Sequence, residues 1–279
     1  MTSSSARASF DVGVDRRAPT HADAVPSPRR LRITKTRRVT WWRLSEGERA
    51  HLADACYAMY CEESNTLDRD TFVARIFGHP STRVGLFYGE DGALAGFFNV
   101  AIRKMAINGR THGVFSAGVL IRPEYRGSSD AFALFGLTEA LWRKLRSPLL
   151  PLAYLSLACS PAPYHRFWLI MPRMWPAPGV ETPPYLDEAI RSIIKGRNLD
   201  AVEGDPWRVA TFLRPHDPGR IQRWTQRVRN QVGLRFYESR NPTWHDPERP
   251  TALLVWIPLE LRDILGAMHR VVRLRLLGR

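Results

Sequence analysis

The stretch Gly113–Leu141, GVFSAGVLIRPEYRGSSDAFALFGLTEAL, decides the fold. An apolar strand punctuated by glycine runs through Arg122-Pro123-Glu124-Tyr125-Arg126-Gly127, and a helical pattern opens almost at once. The first amides of a helix lack intrahelical partners and sit at the positive end of its dipole. A Gly/Ser-rich turn leading into a helix is therefore a place where an oxyanion such as a pyrophosphate can dock. Arg126 adds a guanidinium fork beside it.

Working outward, the preceding residues supply a layered α/β pattern. Ser45 and Glu48 stand at capping-box spacing, and Leu52, Cys56, Met59 and Tyr60 follow on one helical face across His51 to Tyr60. A second helix fits Leu67 to Phe77, stopped by Gly78 and Pro80. Val84 to Tyr88 reads as a strand, Glu90-Asp91-Gly92 as a tight turn and Leu94 to Ile107 as a long strand. Asn108-Gly109 tolerates positive φ at both turn positions, which predicts a hairpin returning along Thr111 to Arg122. After the helix that closes near Leu145, the apolar run Pro151 to Ala158 suits a buried strand parallel to its predecessor. Tyr164 to Met171 predicts a further helix. Leu31 to Leu44 alternates enough to be a first strand, with Trp41 and Trp42 packing at the start of the domain.

The junction Arg126-Gly127-Ser128-Ser129-Asp130-Ala131 resembles the acyl-CoA-binding segment of the GNAT acyltransferase superfamily, whose motif is Arg-x-x-Gly-x-Gly/Ala opening a helix. Arg126 and Ala131 occupy the outer motif positions, Ser129 stands where the central glycine is expected, and Asp130 brings a carboxylate into the cradle. The element order from Leu44 to Trp175 is similar to that superfamily as well. The resemblance implies a mixed, mostly antiparallel sheet with a splayed parallel strand pair, Val114 to Ile121 and Leu152 to Ala158, flanked by helices. It also implies that acetyl-CoA or a longer acyl-CoA lies along the splay, with the pyrophosphate on Arg126, Gly127, Ser128 and Ser129 and the backbone of Val119, Leu120 and Ile121 beside the thioester. The reaction implied is acyl transfer to an amine acceptor. Tyr164 is the candidate acid for the leaving thiolate, on condition that its helix starts late, since the aligned place falls at Phe167 or Trp168. His165 is the candidate base, against a satisfied structural histidine. Glu62 and Glu63 lie where relatives build the acceptor pocket. Glu124, Ser116 and Cys159 are weaker candidates, with capping, structural and core readings beside them.

Beyond Trp175 the pattern thins. We expect a disordered basic tail over 1–30, a core over 31–175, and a C-terminal extension over 176–279 that packs on the core. In that extension Pro184 to Lys195 predicts a helix, Trp207 to Leu213, Gly233 to Tyr237 and Leu253 to Ile257 predict strands, and Arg220 to Asn230 predicts an arginine-rich helix. Leu259 to Leu277 predicts a terminal helix with Leu261, Ile264, Leu265, Met268, Val271 and Val272 on one face. It either closes the domain or lies on an anionic membrane surface. This third resembles regions of uncharacterised bacterial proteins carrying GNAT-like domains.

The chain has 279 residues, 44% of them hydrophobic, enough for a sizeable core. Its three cysteines, Cys56, Cys61 and Cys159, are irregularly spaced, which argues against a disulfide scaffold and a zinc site and for a reducing cytoplasm. No metal motif and no phosphate-loop lysine motif is present, so no metal is expected. A net charge of +14 favours anionic partners: coenzyme A, an acidic acyl carrier protein or anionic lipid. Its even spread, without a nucleic-acid-binding motif, argues against nucleic acid. Two functions follow as expectations: an N-acyltransferase, or a GNAT-shaped binding or peripheral-membrane module without turnover.

Overall fold

A computed structural model describes residues 31–63, 66–197, 199–211, 231–246 and 248–276, with backbone alone at 63 and 126–129. The first half runs β1 (Ile33–Thr40), α1 (Glu46–Glu63), α2 (Arg69–Phe77), β2 (Arg83–Gly89), β3 (Leu94–Ile107) and β4 (Arg110–Ile121). A 3-10 turn, Pro123–Ser128, leads into α3 (Ser129–Arg146), then β5 (Leu152–Ala158) and α4 (Pro161–Ile170). The second half adds α5 (Pro184–Arg197), β6 (Ala201–Val202), β7 (Asp205–Ala210), α6 (Val232–Arg240), β8 (Thr251–Pro258) and α7 (Leu261–Leu276).

Local chemistry accounts for the first-half boundaries. Ser45 and Glu48 cap α1 reciprocally: the Ser45 amide donates to Glu48 Oε2 at 2.8 Å and the Glu48 amide to Ser45 Oγ at 3.3 Å. Asp68 caps α2 by accepting from the Thr71 amide at 2.9 Å. Asn108 and Gly109 turn the β3–β4 hairpin with φ of 48° and 69°, the left-handed pair that a two-residue turn requires.

The strands form one mixed, mostly antiparallel sheet of order β1-β2-β3-β4-β5-β8-β7-β6, in which β4 and β5 are the parallel pair. Helices flank both faces. Between the sheet and helices α1 and α2, Met59 of α1 and Phe72 and Phe77 of α2 pack with Trp41, Leu86 and Phe97, and Trp41 stacks on Phe77 at 4.2 Å between centroids. On the other face α3 packs Phe132 and Phe135 against Phe87 and Phe98. That approach is close enough to need glycine on the sheet, because a Cβ at Gly85 would sit 2.7 Å from the Phe135 ring. Burying such aromatic rings stabilises the sheet–helix layers by about 2–3 kcal/mol each.

The residues after 176 complete the sheet. β8 pairs with β5 along its whole length, from Ala153↔Pro258 to Ala158↔Leu253, and β7 and β6 extend it. Several expectations need correction here. Gly233 to Tyr237, expected as a strand, is helical within α6, which packs on α4. α4 begins at Pro161, three residues before the expected Tyr164. α7 buries Asp263, Ile264, Ala267 and Val271 and leaves Leu261, Leu265 and Val272 exposed, so its inner face is rotated from the expected one. An ion pair accompanies that orientation: Arg173, itself only half-buried, reaches the buried Asp263 carboxylate through Nε and Nη2. The expected tail over 1–30 and the arginine-rich helix from Arg220 to Asn230 lie outside the described residues.

Candidate active site

β4 and β5 pair only through Gly113↔Leu152, Val114↔Ala153 and Phe115↔Tyr154, then part. Beyond this point residues 116–121 of β4 stay paired with β3 alone, and residues 155–158 of β5 with β8 alone. A gap therefore opens in the middle of an eight-stranded sheet, towards the carboxyl ends of two parallel strands, the usual place for a ligand in such sheets. Its edge is unusually accessible, since Val119, on a central strand, is 47% exposed.

Strand alternation identifies the amides that face the gap. The Gly113 amide donates to Pro151 O at 2.8 Å, towards β5, whereas the Arg122 amide donates to Ala95 O at 3.0 Å, towards β3. Odd-numbered residues of β4 thus present their backbone to β5, and Ala117 and Val119 present theirs where β5 has left. Of the backbone positions expected beside a thioester, Val119 and Ile121 lie on the gap side. Leu120 turns its amide into the β3 ladder, where it stands opposite Phe97.

Two helices start at the open end. α3 follows β4 through the 3-10 turn, with Arg126, Gly127 and Ser128 in the turn, Ser129 as first helical residue, and Asp130 and Ala131 in the first turn. The side chains of Arg126, Gly127, Ser128 and Ser129 lie outside the described residues. The turn itself is anchored: Tyr125 is buried and its hydroxyl donates to Asp91 at 3.0 Å, fixing the start of α3 against the β2–β3 connection. α4 follows β5 at an N-cap, Ser160, whose side chain makes no capping bond. Pro161 and Pro163 remove two of the amides in its first turn. α3 is thus the stronger electropositive end.

Asp130, whose carboxylate in the cradle would oppose a phosphate, is ion-paired with Arg166 of α4. The pair spans the carboxyl ends of β4 and β5, neutralises Asp130 and ties the two helix starts together. Burial lowers the Arg166 pKa from its ordinary value, and its Nε has no hydrogen-bond partner among the described residues. Sequence reading passed over Arg166 because a helix begun at Tyr164 gave no reason to orient it. The Ser160-Pro161 start signal, an N-cap residue before a proline at N1, could have found it. On the other face Glu62 takes Arg122 bidentately, at 3.0 Å to Nε and 2.7 Å to Nη2, so it holds the end of β4. The Glu63 side chain lies outside the described residues.

The candidate acid and base sit deeper. Tyr164 is fully enclosed, donates its hydroxyl to Pro176 O at 2.9 Å and lies against Phe236 and Tyr237. Burial raises its pKa far above the ordinary tyrosine value. The late helix start on which its catalytic role depended is not found, because Pro161 at N1 carries α4 past it. His165 is buried as well. Desolvation lowers its pKa, and a hydrogen bond with Gln231 opposes the shift. The Cys159 thiol is pushed up to about 11 by burial and is not poised as a nucleophile near neutral pH. Ser116 lies at the first position of β4 beyond its pairing with β5, with its backbone towards β3. Glu124 accepts the Leu31 amide through its carbonyl at 3.1 Å, a backbone role.

No family model matches the chain. No curated protein matches it in sequence. Solved structures resemble it only remotely, and three serve as examples. A conserved protein of Enterococcus faecalis V583, named a probable N-acyltransferase, is 16% identical with a TM-score of 0.33 over 49% of this chain and 32% of that one. A tetramutant of the BH1408 protein of Bacillus halodurans is 14% identical with a TM-score of 0.34 over 54% and 99%. A candidate acetyltransferase of Acinetobacter baylyi ADP1 is 17% identical with a TM-score of 0.31 over 50% and 80%. At this distance the likenesses carry no weight for function, which rests on the chain's own geometry.

Proposed function

We propose that this protein is an N-acyltransferase that moves an acyl group from a pantetheine thioester, acyl-CoA or acyl carrier protein, to an amine. One observation carries the reading: β4 and β5 part after three paired positions and leave backbone donors facing a gap beside a helix N-terminus. An extended pantetheine arm can borrow those groups as an added strand would. The start of α3 and Arg126 hold the diphosphate, with Asp130 neutralised by Arg166. The Val119 amide polarises the thioester carbonyl where negative charge develops. The amine nitrogen forms the new C–N bond as the C–S bond breaks, and the proton shed by nitrogen balances the one taken by the thiolate. Neither Tyr164 nor His165 is given a part. Calorimetric titration with acetyl-, octanoyl- and palmitoyl-CoA should give binding, and thiol release should follow when an amine panel is added. No heat with any of the three would overturn the reading. Binding without thiol release from any amine would reduce it to a binding module.

A second reading has its own support. On α7, Leu261, Leu265, Val272 and Leu276 form an exposed apolar stripe, with Arg262, His269 and Arg273 beside it. A cationic helix with an uncovered apolar stripe suits an anionic lipid surface. Among the described residues no helix is long and apolar enough to cross a membrane. Full-length protein should co-sediment with phosphatidylglycerol vesicles, and the double substitution Leu265→Glu, Val272→Glu should abolish it while leaving the buried face of α7 intact. Equal sedimentation of both proteins would remove this reading.

A further inference from the structure

A cavity of about 390 Å³ lies on the α1–α2 side of the sheet, away from the β4–β5 gap. His79 from the α2–β2 connection, Ile102, Arg103, Lys104 and Met105 of β3, and Ile193, Gly196 and Arg197 of α5 line it. Strand alternation puts Arg103 and Met105 on this face and Lys104 on the other, leaving two guanidiniums and an imidazole around an apolar floor. The lining contains no carboxylate.

These groups are unbalanced in a way that points to a ligand. Arg197 is half-buried, and its Nη2, which is buried, has no hydrogen-bond partner among the described residues. Burial, and then the charge of Arg103, lower the Arg197 pKa, and the same two causes in the same order lower that of His79. Arg103 is therefore close enough to repel both. A buried donor left unmade beside a like charge is costly unless something supplies acceptors and negative charge.

The site is also built. Ser81 Oγ accepts the Ile102 amide at 2.8 Å and so clips the loop that carries His79 onto β3. The indole of Trp42 donates to His79 O at 2.8 Å from the other side. The Ser81 amide donates to His79 Nδ1 at 3.2 Å. A backbone N–H can only donate, so Nδ1 is the acceptor and Nε2 carries the proton of the neutral ring.

We propose that this cavity binds the phosphate of a small phosphate monoester, with Arg103, Arg197 and His79 Nε2–H on its oxygens and the apolar body against Met105 and Ile193. Three donor groups match the three terminal oxygens of a phosphate better than the two of a carboxylate, and guanidinium forks favour phosphate. The volume suits a small molecule of this kind. The site is separate from the acyl-transfer reading and stands or falls without it.

Calorimetry with phenyl phosphate and with inorganic phosphate, at matched ionic strength, tests the proposal. Phenyl phosphate should bind several-fold more tightly than inorganic phosphate. The exposed-residue variant Arg103→Gln and the variant Arg197→Gln should each weaken it at least tenfold. Arg103→Gln removes an exposed side chain, so it keeps the test decisive even if Arg197→Gln fails to fold. No binding by the wild-type chain overturns the proposal. So does equal affinity for the two phosphates, or undiminished binding in Arg103→Gln.

Discussion

At the scale of single residues, burial decides what chemistry a side chain can offer. Tyr164 and His165 adjoin in sequence and both looked like catalytic candidates, yet α4 carries both into the core. His165 has a folded-state pKa below its ordinary value because desolvation disfavours the imidazolium. The folded protein therefore binds fewer protons than the unfolded chain just below about pH 6.5, the unperturbed histidine value. The stability contributed is present above that value and is lost as the pH falls through the lowered folded-state pKa. His79 carries the same sign, for the same first cause. The thermal midpoint should drop as buffers step from pH 7 to pH 5, and His165→Gln should flatten that drop. An unchanged slope in the variant would show that His165 is not charged on unfolding. Asp130 teaches the converse. Its sequence position promised repulsion of phosphate, and only a distant arginine, Arg166, cancels the charge.

At the scale of elements, short-range signals were legible where the partner lies a few residues away. The Ser45–Glu48 box, the Asn108-Gly109 turn and the Leu94–Ile107 strand all formed where their chemistry placed them. α6 failed because Gly233-Leu234-Arg235-Phe236-Tyr237 alternates like a strand over five residues, too short a window to separate a period of two from 3.6. Tertiary contact settles it. Gly233 lets α6 approach α4 so closely that a Cβ there would lie 2.8 Å from the Trp168 ring. Tyr237 then reaches the end of β5, donating to Ala158 O at 2.8 Å and accepting from Asn241 Nδ2 at 3.1 Å. Tyr237→Phe leaves a buried carbonyl and a buried amide short of a partner, so it should lower unfolding free energy by about 1–3 kcal/mol in urea titrations. A loss below a few tenths would mean that Asn241 and water re-pair without it.

At the scale of the whole molecule, the local grammar of the first half carried as far as the β4–α3–β5 crossover and no further. Hydrophobic period, capping spacing and turn residues act over a few positions, so the sequence by itself determined the strands, the hairpin, the strand-to-helix junction and the strong positive charge. It could not determine that β8 joins β5 across about a hundred residues, because strand pairing is chosen by which apolar edges can be buried together once the chain has folded. Nor could it place Arg197 against Arg103, Arg166 against Asp130 or Asp263 against Arg173, since each pair meets only when separate elements pack. The tertiary structure alone decided where β4 and β5 part and which polar side chains are buried. Those depend on contacts distant in sequence, and burial, unlike periodicity, is a property of the assembled layers.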